Sequence, residues 1–161
     1  MDNWESVWKR KGLQTMIVDR GREFYNKFFF KFLKKYVNKN TKLLEVGCGT
    51  SSLSLQLCSH IKKFTGLDLS EEALRISKRN ATSLKVKNAN FVKGSCFKTP
   101  FKDNSYDVVW SQGLIEHFDN PLSIVKEHVR VCKKNGYTLV SVPYNMSYMK
   151  LWHIMTRPKI F

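Results

Sequence analysis

The sequence predicts an α/β fold: a doubly wound, mostly parallel sheet with helices on both faces. Two observations carry this. Short apolar strands alternate with amphipathic helical stretches along the chain. The segments Gly47-Cys48-Gly49, Asp68, Gly94-Ser95, Ser111-Gln112 and Pro143-Tyr144 each follow a strand, so right-handed crossovers gather them on one sheet edge. Ligands of open parallel sheets bind at that edge.

The elements follow in order. Apolar residues at 24, 25, 28, 29, 32, 33, 36 and 37 form a helical stripe with lysines opposite, closed by Asn38-Lys39-Asn40. The first strand is Lys42 to Val46, and the helix after its glycine turn runs through Leu53 and Leu57 to Ile61. Phe64 to Leu67 is a short second strand ending at Asp68. Ser70 is suited to cap the next helix, with Glu71 and Glu72 at the positive end of its dipole. Asn90 to Lys93 is the third strand. Tyr106 to Ser111, with Val108, Val109 and Trp110 at its centre, is the fourth. Asp119-Asn120-Pro121 opens a helix with Pro at its first position, which the pattern extends to Lys134 before a stop at Asn135-Gly136. Tyr137 to Val142 is the fifth strand, closed by Pro143.

Composition narrows the class. The 161 residues suit a single domain with a real core, 1–161: a helical cap over 1–40, a core over 41–143 and a tail over 144–161. An apolar fraction of 42% with 13% aromatics argues against disorder. No apolar run approaches the ~20 residues of a membrane span. The opening MDNWESVWKR lacks the apolar core of a signal peptide, which makes the cytoplasm the default location. Cys48, Cys58, Cys96 and Cys132 show no metal or disulfide spacing and read as reduced thiols; no metal is expected. The net charge is +15, and acids are missing from Phe24 to Leu44, from Ala73 to Lys102 and after Glu127. Such a field attracts anions, but the lysines are spread over several elements without an Arg-rich segment, so nucleic acid is not the favoured partner.

The turn in Leu43-Leu44-Glu45-Val46-Gly47-Cys48-Gly49-Thr50 carries the chemistry. Its glycines permit close backbone approach by a ligand, and amides freed at the helix start would favour an anion or carboxylate. No Gly-Lys-Ser/Thr follows, which excludes a P-loop, and Ser52 stands where a dinucleotide fingerprint has its third glycine. Asp68, 19 residues after Gly49, can accept bonds from both hydroxyls of a ribose. Glu45 beside the turn disfavours a pyrophosphate and suits a cation such as an ammonium or a sulfonium.

With these residues in place, Glu45-Val46-Gly47-Cys48-Gly49-Thr50 resembles motif I of the class I S-adenosylmethionine-dependent methyltransferases, nearest to their "type 11" small-molecule set. Thr65-Gly66-Leu67-Asp68-Leu69-Ser70-Glu71-Glu72-Ala73-Leu74 resembles their second motif. Pro100-Phe101-Lys102-Asp103-Asn104-Ser105-Tyr106-Asp107-Val108-Val109 and Leu114-Ile115-Glu116-His117-Phe118 are similar to the segments around the fourth strand. The resemblance spans residues 40–143 and implies a Rossmann-like methyltransferase fold with S-adenosyl-L-methionine as cofactor. It implies that the backbone of Gly47, Cys48 and Gly49 packs on the methionine part, with Glu45 near. Asp68 would hold the ribose and Leu69 would pack on adenine. Ser95 and Cys96 would meet the adenine edge, and Ser111 and Gln112 would floor the reactive methyl. The family commonly has Asp where Ser95 stands. His117 is the candidate base; His60, His128 and His153 read as structural or surface residues.

The resemblance also implies two further strands in an antiparallel hairpin, which the 19 residues from Pro143 to Phe161 are too few to supply. The sequence therefore reads as a fragment or an early-terminating form lacking the last two strands. Its fifth strand would be an open edge that could pair in a homodimer. The expected reaction is methyl transfer to a small-molecule or lipid-like acceptor by in-line displacement, with no transmembrane segment. The competing classes are an RNA or other nucleic-acid methyltransferase, a non-catalytic cofactor-binding protein and a nicotinamide oxidoreductase. Ser111-Gln112-Gly113-Leu114 replaces the N-P-P-Y loop of base-amino methylation.

Overall fold

The computed structural model describes residues 26–142. A helix over 26–33 (α1) tightens into a 3-10 turn at Lys34–Tyr36. Then come β1 (Lys42–Val46), α2 (Ser52–Leu57) with a 3-10 turn Cys58–His60, and β2 (Lys63–Asp68). These are followed by α3 (Glu71–Ser83), β3 (Ala89–Lys93), β4 (Tyr106–Gln112), a 3-10 turn Ile115–His117, α4 (Pro121–Val131) and β5 (Cys132–Ser141). The strands form one parallel sheet in the order β3-β2-β1-β4-β5. The chain order reverses between β1 and β4, the switch point at whose carboxyl edge ligands of such sheets bind.

Burial follows from this order. The inner strands β1, β2 and β4 are apolar on both faces and nearly all buried, whereas β3 and β5, at the edges of the described sheet, are partly exposed. One core packs Leu33 of α1, Leu53 and Leu57 of α2 and Ala81 of α3 on Leu43, Phe64 and Trp110. The other packs Val131 of α4 on Leu44, Val46, Leu67 and Val109. Both long helices start where capping chemistry requires. Ser70 Oγ accepts the Ala73 N–H at 3.2 Å, and Asn120 Oδ1 accepts the Ser123 N–H at 3.3 Å just before Pro121.

The sequence reading needs three corrections. The helix expected to reach Lys134 ends at Val131, and β5 begins at Cys132. Tyr106 pairs with Cys132 and Val108 with Tyr137, so residues 133–136 bulge opposite Asp107. Asp107 holds the bulge by accepting a bond from Lys133 Nζ at 2.7 Å. Gly136 is required there, since a Cβ would lie 2.5 Å from the Asp107 carbonyl oxygen. Second, α2 stops at Leu57, and Ile61 is extended. Third, Phe28 is 64% exposed, and Phe30 instead turns inward against His60, with ring centroids 5.9 Å apart. The cap residues before 26, the tail after 142, Pro143-Tyr144 and His153 lie outside the described residues. No helix among the described residues is long and apolar enough to cross a membrane.

Charge is segregated between the sheet edges. Six of the nine acids among the described residues lie at the carboxyl edge: Glu45, Asp68, Glu71, Glu72, Glu116 and Asp119. At the opposite edge, exposed Lys39, Lys42, Lys62, Lys63, Lys85 and Lys87 stand on three neighbouring turns, with Lys42 paired to Lys63 in the register.

Candidate functional site

The turn after β1 is built from the sheet outward. Gly47 and Cys48 donate their N–H groups to the Leu67 carbonyl at 2.8 and 3.0 Å, and Gly49 donates to Asp68 Oδ2 at 2.8 Å. These three amides latch the turn to β2. They are therefore spent inside the protein and form no cradle for a pyrophosphate. Gly47 (φ 68°), Gly49 (φ 50°) and Ser51 (φ 54°) are left-handed. A Cβ on Gly47 would also lie 2.6 Å from Leu114 Cδ1. Ser52 opens α2, as expected of a residue with no glycine role.

Asp68 ends β2 with its carboxylate fixed from two sides, accepting Gly49 N–H on Oδ2 and Ser70 N–H on Oδ1 at 2.9 Å. Beside it, Leu69 is 60% exposed, an apolar surface at the carboxyl edge. Glu45 is buried, 6% exposed, and its Oε2 has no hydrogen-bond partner among the described residues. Burial pushes its carboxyl up to about 8, the Asp68 charge adds to this, and a hydrogen bond with Ser54 opposes it. Cys48 is buried between these acids. Burial first, then the Glu45 and Asp68 charges, push its thiol well above the usual range, so it is an inert packing thiol. Burial also pushes the half-buried Cys96 up to about 11, with Asp68 near enough to contribute.

The structure thus brings together Glu45, Gly47, Cys48, Gly49, Asp68 and Cys96, with Leu69 at the rim. The other expected residues are arranged differently. Ser95 Oγ accepts the Phe97 N–H at 3.2 Å, turning the hydroxyl back on its own loop. Ser111 is fully buried in β4, and its Oγ also lacks a partner among the described residues. Gln112 is half-buried at the strand end. His117 is exposed on the 3-10 turn after β4, outside the buried Glu45–Asp68 cluster. His128 is the structural residue expected, buried with Nδ1 2.7 Å from the Ile124 carbonyl.

Four residues that support the site escaped the sequence reading. Ser77 Oγ donates to the Gly49 carbonyl at 2.7 Å and lies 3.1 Å from Ser51 Oγ, and Asn80 Nδ2 donates to the Thr50 carbonyl at 3.1 Å. Together they pin the turn to α3. Ser54 and Trp110 meet at Glu45. The available signal was a serine inside an otherwise apolar helical stripe: Ser54 between Leu53 and Leu55, and Ser77 with Ala73, Leu74 and Ala81.

The glycine turn, strand-end acid and buried glutamate thus stand together at the switch point of an open parallel α/β sheet. Comparison with known proteins takes this further. A family profile described as a methyltransferase domain matches residues 44–140. The chain is 32% identical over 115 residues to an uncharacterized methyltransferase of Schizosaccharomyces pombe, covering 66% of this chain and 41% of that protein. It is 31% identical over 103 residues to a demethylmenaquinone methyltransferase of Listeria monocytogenes, covering 62% and 44%. The fold matches a putative methyltransferase of Bacillus halodurans with a TM-score of 0.66 at 26% identity, covering 77% of this chain and 55% of that one. A SAM-dependent methyltransferase from Aquifex aeolicus shares the fold, with a TM-score of 0.62 at 24% identity over 68% and 61% of the chains. The chain belongs to the class I S-adenosylmethionine-dependent methyltransferase family. It spans about half the length of the curated relatives it matches.

Proposed function

We propose that this chain binds S-adenosyl-L-methionine along the carboxyl edge and transfers its methyl group to a small-molecule or lipid-like acceptor. The observation that carries the reading is the buried Glu45 carboxyl, with one unpartnered oxygen, next to an Asp68 carboxylate already fixed by two backbone amides. A buried acceptor without a partner is costly unless a ligand satisfies it. An amino-acid ammonium fits Glu45, ribose hydroxyls fit Asp68 and an adenine ring fits exposed Leu69. Ser95 and Cys96 then border the ring, and Ser111 and Gln112 the reactive end.

The cofactor supplies an activated sulfonium methyl, and the chain's own task is alignment. Gly47 and Gly49 offer no side chain where the ligand backbone must pass. Asp68 fixes the ribose, and Glu45 fixes the amino-acid end. His117, on the turn beyond β4, is proposed to take the proton of a hydroxyl or amine acceptor. The printed name of the Listeria relative supports a small-molecule acceptor. The six lysines lie on the sheet edge away from this site, which weighs against a nucleic-acid acceptor. A cytoplasmic location, the division into cap, core and tail, and a homodimer through β5 are proposed with it.

Calorimetry with S-adenosylmethionine and its demethylated product tests this. The wild type should bind both, and Asp68→Ala should weaken binding at least tenfold. A folded wild type that binds neither refutes the reading, and binding without turnover over a panel of acceptors favours a non-catalytic cofactor-binding protein.

A further inference from the structure

The cofactor reading leaves Ser54 and Trp110 unused, yet they are the residues that surround Glu45. Trp110 Nε1 donates to Ser54 Oγ at 3.1 Å, and both side chains are buried. Trp110 also pairs with Glu45 in the β1–β4 register, which places the two on one face of the sheet. A hydroxyl that accepts an indole N–H keeps its own proton for another partner, and Ser54 stands close enough to Glu45 to favour its charged form. The Trp110–Ser54 pair thus stands beside Glu45, whose Oε2 is unpartnered among the described residues.

We propose that Ser54, fixed by Trp110, is a positioning residue that orients the buried Glu45 carboxyl for a ligand ammonium, and that capture of the ammonium releases the Glu45 proton. This rests on the cofactor reading above. The step balances simply: the neutral carboxyl loses its proton to solvent, and the carboxylate left behind pairs with the incoming ammonium. Burial favours the neutral acid before the ligand arrives, and a cation seated on Oε2 favours the carboxylate afterwards. The other titratable groups facing Glu45 are Asp68 from β2, Cys48 from the turn and Cys58 from the 3-10 turn after α2. Burial holds both thiols neutral, Cys58 up to about 12, and β4 contributes the non-titrating Trp110. Binding should therefore strengthen as pH rises toward about 8, where free Glu45 ionises by itself.

The test is calorimetry at pH 6.5 with the demethylated cofactor product, in buffers of different ionisation enthalpy. At that pH an α-amino group, with a pKa of about 7.7–8.0, is already protonated and adds little. The wild type should release close to one proton per ligand bound, and Glu45→Gln almost none. Ser54→Ala should bind several-fold more weakly at pH 6.5, and the gap should narrow as pH rises toward 8, while the ligand ammonium is still present; Ser54→Thr should restore the wild-type profile. A pH-independent defect in Ser54→Ala would mark Ser54 as merely structural and refute its assigned role. The wild-type measurement stands even where a variant fails to fold. Ligand binding with no proton release overturns this inference and leaves the cofactor site standing. No ligand binding by folded wild type removes both.

Discussion

In the proposed cofactor site, Ser95 stands where the resemblance to the family implies an Asp. A carboxylate there would accept the adenine amino group through a charge-assisted bond, whereas the Ser95 hydroxyl accepts the Phe97 N–H of its own loop. Ser95→Asp is expected to tighten cofactor binding about tenfold, or ~1–2 kcal/mol; titration calorimetry showing unchanged or weaker binding would contradict this. The core of the site was legible residue by residue where position alone sets the role. Glycines directly after an apolar strand, an acid at the end of the next strand and a glutamate inside the first strand can all be read without knowing the packing. Ser54 and Ser77 could not be read that way. Each is one small polar residue in an apolar stripe, and its partner depends on which helix face meets which strand. The same limit explains the amides of the turn: that Leu67 and Asp68 take them is a tertiary fact.

At the scale of elements, the turn is held from behind by α3. Removing the Ser77 hydroxyl deletes its bond to the Gly49 carbonyl and its contact with Ser51 Oγ. Ser77→Ala should cost about 1–3 kcal/mol in urea unfolding, and cofactor affinity should fall with it. On the other face, α4 clamps the loop before β4. Glu127 Oε1 accepts Thr99 N–H and Oγ1–H at 2.6 and 2.9 Å, while Arg130 donates to Glu127, Asp103 and the Phe101 carbonyl. The Arg130 guanidinium, then the Thr99 donors, pull the Glu127 carboxyl down to about 2 against its burial. Since this value lies below that of the unfolded chain, near 4.5, the stabilisation is complete above pH 4.5 and is lost as pH falls through 2. Thermal unfolding of the wild type against Glu127→Gln should show a gap that is constant above pH 5 and shrinks steadily below 4.5. Element existence and order were legible because each strand is a short apolar run between breakers. The end of α4 was not, because the pattern through Lys134 is also compatible with helix. Asp107, distant in sequence from Val131, defines with Gly136 the bulge that replaces the last turn.

Across the whole molecule, the five parallel strands put every described site segment on one edge, and this is why the family could be read from motif order alone. The same arrangement separates charge. A chain of +15 should repel a cation, yet Asp68, Glu116 and Asp119 lie at the carboxyl edge, where Lys93 and Arg75 pair with Glu71 and Glu72, while six exposed lysines lie at the far edge. The methyl donor, with sulfonium, ammonium and carboxylate, carries one net positive charge, and the spent product carries none. Association of the donor should slow with added salt more steeply than that of the product, as stopped-flow binding between 20 and 500 mM salt would reveal; equal slopes would dismiss the effect. The latch of amides and carboxylate at the turn thus sits in a field that distinguishes full from empty. Fresh donor should then be drawn inward more strongly than the discharged molecule, which favours exchange of the one for the other.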